Sequence, residues 1–379
     1  MTPEPVAFRP AWLWTGDELL RAPTVVLEDG RVRFEARGLP VVDLDGIVLP
    51  GLVNAHTHLE LAATPTPRGQ GIVPWVGALR DGPPPSDGTA VAGVAQSWAF
   101  GTALVGDVTN TGASRHVLAD GPVEGVVFHE VLGIDVLTAP DVGGLSPHAP
   151  HSTHPALVKA AASRAARHPD GRFSVHCDED PDERAFLRDH SGRWPAIMAR
   201  LGRDLVAFPP TGLTPVAHLD ALGALSPHAL LVHLTLTRGE DLDTVATRGA
   251  RVALCPRSNL HITGGLPDAA GLLARGVPVA LGTDSLASSP DLDMLAEAAA
   301  ARAAFPDVDP VHWLRAITSA GADALGRRDH GRILEGHPAA LLHVAVHGAG
   351  GGPPATPPRP GDIVAAIFDG TRWRRRWLT

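Results

Sequence analysis

Two histidines, His56 and His58, stand two residues apart near the end of residues 46–60, GIVLPGLVNAHTHLE. Side chains two apart on a strand share a face. Both imidazoles can therefore reach one point, as two ligands of one metal ion must. Any His-rich loop contains an H-x-H pair, but this one closes an apolar run of Ile47, Val48, Leu49, Leu52 and Val53, the pattern of a buried strand opening onto a site. Four later apolar segments also run into ionisable residues: His148 in LSPHAP, His176 in VHCDE, His233 in LLVHLT and Asp284 in VALGTDS. Five imidazoles and one carboxylate suit zinc or iron(II) better than magnesium or calcium, which prefer oxygen.

Position separates the roles. His56, His58, His176 and Asp284 are taken as the ligands of one divalent ion, zinc in the first instance and iron(II) as the alternative. With a water they leave the exchangeable position that hydrolysis needs, and the ion brings the pKa of that water towards 7. His233 is expected beside the water as a hydrogen-bond partner or proton shuttle. Glu179 reaches the ion only if the strand ends near His176 and the chain turns back. Asp180 as N-cap and Pro181 at N1 of a following helix make that turn reasonable. Spacing alone leaves Glu179 divided between this role and that of an acidic group at a helix N-terminus. Lys159 is the only lysine and lies in a helical pattern, PALVKAAASRAARH, so no lysine is available to bridge two metals and the site is read as mononuclear.

The segments that must position these residues repeat as strand, loop and helix. The strand patterns lie at 46–58, 101–109, 124–133, 143–150, 172–180, 229–235, 251–259 and 277–285. Eight such units predict an α/β protein with a parallel (β/α)8 TIM-type barrel, whose active-site groups gather at the C-terminal ends of the strands. Short strands before and after it predict a small composite β-sandwich built from both termini. The expected division is 1–46, 47–331 and 332–379. Residues 349–361, AGGGPPATPPRPG, read as a connector, and the tail WRRRW as an edge strand with Trp373 and Trp377 on one face. Arg257, Ser258 and Asn259 are expected to end strand 7 and frame the mouth.

The 379 residues carry a net charge of −9, with arginines scattered, which argues against a nucleic-acid partner. No apolar run is long enough to span a membrane, and no export signal precedes the first strand pattern. A cytoplasmic protein is expected, with Cys177 and Cys255 as free thiols. A homodimer is left open. Segment 189–212, with Arg193 and Trp194, has the length and position of a lid.

The motifs LPGLVNAHTHLE, LSPHAP, VHCDE, LLVHLT, CPRSNLHITGG and PVALGTDSLAS, in this order, resemble the amidohydrolase superfamily, in its branch of metal-dependent deaminases and chlorohydrolases. The resemblance implies that His56, His58, His176 and Asp284 hold the metal, that Glu179 shuttles protons, and that His233 is the strand-6 histidine of the family. GIVPWVGAL, FHEVLG and GLTPVAHLDALGAL are similar to the aminodeoxyfutalosine deaminases of menaquinone biosynthesis. VHCDE in place of H-x-A-E, and His151 where relatives often have Tyr, depart from the pattern. The implied activity is hydrolytic removal of an exocyclic amine from an adenine-type base, 6-amino-6-deoxyfutalosine first. Adenosine, S-adenosylhomocysteine or guanine deamination, or triazine dechlorination on the same site, are the alternatives. Cyclic amide hydrolysis is disfavoured by the absent strand-4 lysine. Trp75, His129 and His148 are candidate substrate contacts, with plain packing an equal reading of Trp75.

Overall fold

The computed structural model describes residues 5–36, 38–141, 143–338, 340–345, 360–368 and 373–378. Eight parallel strands carry the site: Leu52–Thr57 (β1), Thr102–Thr109 (β2), Glu124–Val131 (β3), Gly144–Pro147 (β4), Phe173–Cys177 (β5), Ala229–His233 (β6), Arg251–Leu254 (β7) and Val279–Leu281 (β8). They pair in sequence order as two four-stranded parallel sheets, β1 to β4 and β5 to β8. Helices follow most of them, though none lies between β3 and β4 among the described residues, giving a TIM-type α/β architecture. Val53, Ala55, Leu104, Val108, Phe128, Leu230, Val232, Ala253 and Ala280 pack together as one buried cluster along six of the strands. A larger cluster, with Leu231, Leu254 and Leu281, packs under the helices. Strands buried on both faces explain the nearly unbroken apolar runs in the sequence.

Both chain ends enter one seven-stranded sheet. Val41–Pro50 lies inside it, parallel to Val6–Trp14 and antiparallel to Leu341–Ala345. Residues 46–58, expected as one barrel strand, are thus divided. The first part belongs to the terminal sheet up to Pro50, and β1 begins at Leu52. Gly51 makes the break where a Cβ would come within 2.5 Å of the Ala103 side chain. Arg374–Leu378 is an edge strand, as the tail composition suggests. Trp373, Arg375 and Trp377 share parity: Trp377 stacks on Trp98 at 4.0 Å, and Arg375 meets Asp293 at 2.6 Å.

Two expectations fail locally. Pro360–Phe368, read as strand-like, is a helix, because Val364, Ile367 and Phe368 recur at helical spacing and bury one face. Arg257, Ser258 and Asn259 do not end β7. That strand stops at Leu254, and they lie in the helix Pro256–Ile262, with Pro256 in its first turn. The connector at 349–361 lies outside the described residues apart from Pro360 and Gly361. Among the described residues no helix is long and apolar enough to cross a membrane.

Candidate active site

His56 and His58 leave the end of β1 on one face, and His176 leaves β5 opposite them. Their Nε2 atoms converge, His176 lying 3.3 Å from both His56 and His58. Asp284 Oδ1 completes the group at 3.6 Å from each of His56 and His58 Nε2. Nitrogens about 2.1 Å from one ion at a tetrahedral angle lie about 3.4 Å apart, so this spacing fits a metal site. The hydrogen bonding agrees. His176 Nδ1 bonds the His148 carbonyl at 2.8 Å. A carbonyl only accepts, so the ring proton is on Nδ1 and Nε2 presents its lone pair. Burial lowers the pKa of His56, and burial with the neighbouring imidazoles lowers that of His176 well below its ordinary range. Neutral imidazole is the ligand form.

Asp284 is gripped on its other oxygen. Ser258 and Ser288 hydroxyls donate to Oδ2 at 2.6 and 2.7 Å, leaving Oδ1 to face the histidines. Burial alone would raise its pKa; the bond to His56 and the surrounding imidazoles outweigh burial and hold the carboxyl well below the carboxylate range. The next residue of the Pro256–Ile262 helix, Asn259, contacts His233 Nδ1 at 3.1 Å through Nδ2. One short helix therefore steadies both Asp284 and His233. Positive φ angles at Asp178 (58°), His233 (77°) and Asp284 (57°) show strained backbone concentrated at this end of the barrel.

Glu179 reaches the site because the chain turns immediately after Cys177. Asp178 anchors the turn through Arg184 at 2.5 Å and the Thr237 hydroxyl at 2.7 Å. Asp180 caps the helix Pro181–Asp189. Glu183 Oε2 accepts the Glu179 backbone N–H at 3.0 Å. Glu179 Oε2 then lies 3.6 Å from His233 Nε2. Burial first, and then Asp284 and Glu183, raise the Glu179 pKa well above the carboxylate range, whereas burial takes His233 down to about 3. A carboxyl group whose proton is favoured thus faces a neutral imidazole.

A cavity of about 430 Å³ opens from this group. Trp75, its Nε1 donating to the Ala287 carbonyl at 3.2 Å, forms one wall. Trp194, Ile197 and Met198 from the lid-like segment form another, while His148 lines the strand-4 side. His129 does not line the cavity; its neighbour Glu130 does. Along β3, Phe128 and Glu130 share the inner face and His129 takes the other, a consequence of period two. Glu60 and Ser288 also escaped the sequence reading. Glu60, the last residue of the HTHLE motif, is buried and accepts bonds from the Thr109 and Thr111 hydroxyls and the Asn110 N–H at 2.6, 2.7 and 2.6 Å. Its place beside the ligand pair was the available signal.

The amidohydrolase family model matches residues 135–371. Aminodeoxyfutalosine deaminase of Deinococcus radiodurans is 31% identical over 313 residues, 74% of each chain. The chain belongs to the amidohydrolase family. Among solved structures, aminofutalosine deaminase of Helicobacter pylori superposes with a TM-score of 0.81 over 97% of each chain at 19% identity. An adenosine deaminase of Xanthomonas campestris with bound zinc gives 0.73 at 23% identity, over 96% of this chain and 88% of its own. At those identities the two structures speak to the fold.

Proposed function

We propose that this amidohydrolase is a mononuclear zinc-dependent deaminase, which hydrolyses the exocyclic amine of an adenine-type base in a nucleoside-like substrate, with 6-amino-6-deoxyfutalosine the leading candidate. The observation that carries the reading is Glu179, a buried acid held opposite His233 at the rim of a three-imidazole, one-carboxylate cluster. The relative from Deinococcus radiodurans supports the choice of substrate. The barrel is taken as closed by two contacts between its sheets: the Thr57–Asp284 bridge, and the His176 N–H donating to the His148 carbonyl at 2.9 Å. The terminal strands are taken as the sandwich of the family fold, with the expected N-terminal limit of 46 extended to Pro50.

His56, His58, His176 and Asp284 would hold the ion, which supplies Lewis acidity and a water acidic enough to attack at neutral pH. Deamination adds water to the ring carbon bearing the amine and expels ammonia, leaving a carbonyl. Glu179 donates its proton to the ring nitrogen beside that carbon, making the carbon electrophilic. Asp284, ionised and held by two serine hydroxyls, takes a proton from the attacking water through Oδ1. His233 faces the same point and steadies the developing alkoxide. The proton of the added hydroxyl restores Glu179, and the proton held by Asp284 passes to the amine, which leaves as ammonia. Trp75, Trp194 and Met198 exclude water from the rest of the substrate.

Ammonia release and ultraviolet change on aminodeoxyfutalosine, adenosine, S-adenosylhomocysteine, guanine and a chlorotriazine test the reaction class and the substrate. Glu179→Gln should lower kcat by a factor on the order of 10^3 while one metal per chain is retained. Turnover preserved in that variant, or two ions per chain, would refute the assignment.

A further inference from the structure

One flank of the cavity has no part in the reaction as described. Glu130 ends β3 with its side chain 8% exposed and faces the cavity together with Asn110, His148 and Ser152. Its Oε2 accepts a bond from Asn110 Nδ2 at 2.6 Å, while Oε1 has no hydrogen-bond partner. An ionised carboxylate can accept about four hydrogen bonds; this one receives a single bond from the protein, and an unmet buried acceptor is costly. The arrangement is built, not incidental. The Glu60 carboxylate fixes the loop at 109–111 through two hydroxyls and a backbone N–H, and that loop presents Asn110 to Glu130.

A second metal ion does not explain the group. Glu130, His148 and His176 lie close together, but His176 Nδ1 is committed to a carbonyl and His148 Nδ1 meets Ser152 Oγ at 2.6 Å. A cationic ligand is disfavoured as well. Glu130 Oε1 lies 3.9 Å from His176 Nδ1, so a positive group there would face the ion across one imidazole ring. Neutral O–H donors remain. Carboxylates bind ribose hydroxyls in dinucleotide sites by the same chemistry.

We propose that Glu130 is a specificity-determining residue that accepts hydrogen bonds from the sugar hydroxyls of the substrate, selecting a nucleoside over a bare base. The inference rests on the deaminase reading above. A 3.9 Å gap, one imidazole ring and one metal–nitrogen bond of about 2 Å separate the Glu130 carboxylate from the point where the ligands converge. That is on the scale of a purine, measured from its amine-bearing carbon to its sugar. The cavity lining also holds Leu79, Leu132, Ile197 and Leu201, apolar surface that suits a group attached further along the sugar, and two arginines, Arg80 and Arg203.

The test is kcat/KM for adenosine and 2′,3′-dideoxyadenosine, with metal content, in the wild type, Glu130→Ala and Glu130→Gln. Glu130→Ala should lose about ten- to a hundredfold on adenosine, mainly in KM, and stay within about twofold on the dideoxynucleoside, with metal content unchanged. Glu130→Gln, which keeps one acceptor, should fall between. Equal losses on both substrates, or loss of metal from the alanine variant, would overturn the assignment. A wild type that releases no ammonia would refute the deaminase reading separately. In that case calorimetric binding of the two nucleosides reads the same discrimination without turnover, and equal affinities in the wild type would overturn the role of Glu130.

Discussion

Glu183 offers a measurement that separates the support of the active site from its chemistry. It lies in the first turn of the helix Pro181–Asp189, 1% exposed, with Oε2 on the Glu179 N–H and Oε1 3.6 Å from a partnerless His151 Nδ1. Burial first, and then Asp178, push its pKa from 4.5 up to about 8. Between those two pH values the unfolded chain releases this proton and the folded chain keeps it, so stability falls as pH rises. At about 1.4 kcal/mol per unit over roughly 3.5 units, the loss is on the order of 5 kcal/mol. Glu183→Gln removes that cost, since the amide carbonyl still accepts the Glu179 N–H and its NH2 can donate to His151. Denaturant unfolding of metal-free protein at pH 5, 6, 7 and 8 should show the variant gaining on the wild type at each step. Its ammonia release at pH 7 should stay within a few fold. Glu183→Ala instead leaves a buried N–H unmet, at about 1–3 kcal/mol. Where that strain moves Glu179, kcat drops roughly tenfold for each 1.4 kcal/mol. Parallel stability curves for Glu183→Gln and the wild type would refute the account.

Gly282 abuts the first metal histidine: a Cβ there would stand 2.6 Å from the His56 carbonyl oxygen and 2.8 Å from its Cβ. Gly282→Ala should therefore weaken metal retention about tenfold or more with every ligand still present, read by metal analysis after dialysis against graded chelator; full retention would show that β1 gives way freely. Arg375 and Asp293 form an ion pair 10% and 7% exposed. Arg375→Ala strands the carboxylate and should cost about 3–5 kcal/mol in urea unfolding; an unchanged midpoint would mean that water reaches Asp293.

The proposed ligands could be read from the sequence because each closes an apolar strand pattern, and period two puts His56 and His58 on one face. Glu179 could be placed only by its turn. Asp180 and Pro181 hinted at that turn, but Arg184 on Asp178 and Glu183 on the Glu179 N–H define it, and neither pairing shows in a one-dimensional pattern. In the sequence His129, near the end of a strand pattern, is the candidate contact, and Glu130 is not singled out. Strand phase, set by Phe128 entering the core, decided otherwise. The apolar run at 363–368 fits either periodicity, and only packing of Val364, Ile367 and Phe368 against the barrel helices makes it a helix. Pro256, by contrast, was a legible helix start after β7.

Gly51 is a single residue between a strand of the terminal sheet and the strand that carries His56 and His58. The tail segment Leu341–Ala345 clamps the first of these strands from Ile47 to Pro50, and Arg374–Leu378 covers that clamp in turn. Two strands that follow the barrel in the chain therefore complete the support of proposed metal ligands that precede it. Until they pair, the strand Val41–Pro50 that leads into β1 has only one flank of its sheet in place, so metal loading is expected to follow that pairing. Deleting Arg374–Leu378 would lower metal occupancy from more than three hundred residues away in sequence, without touching a proposed ligand.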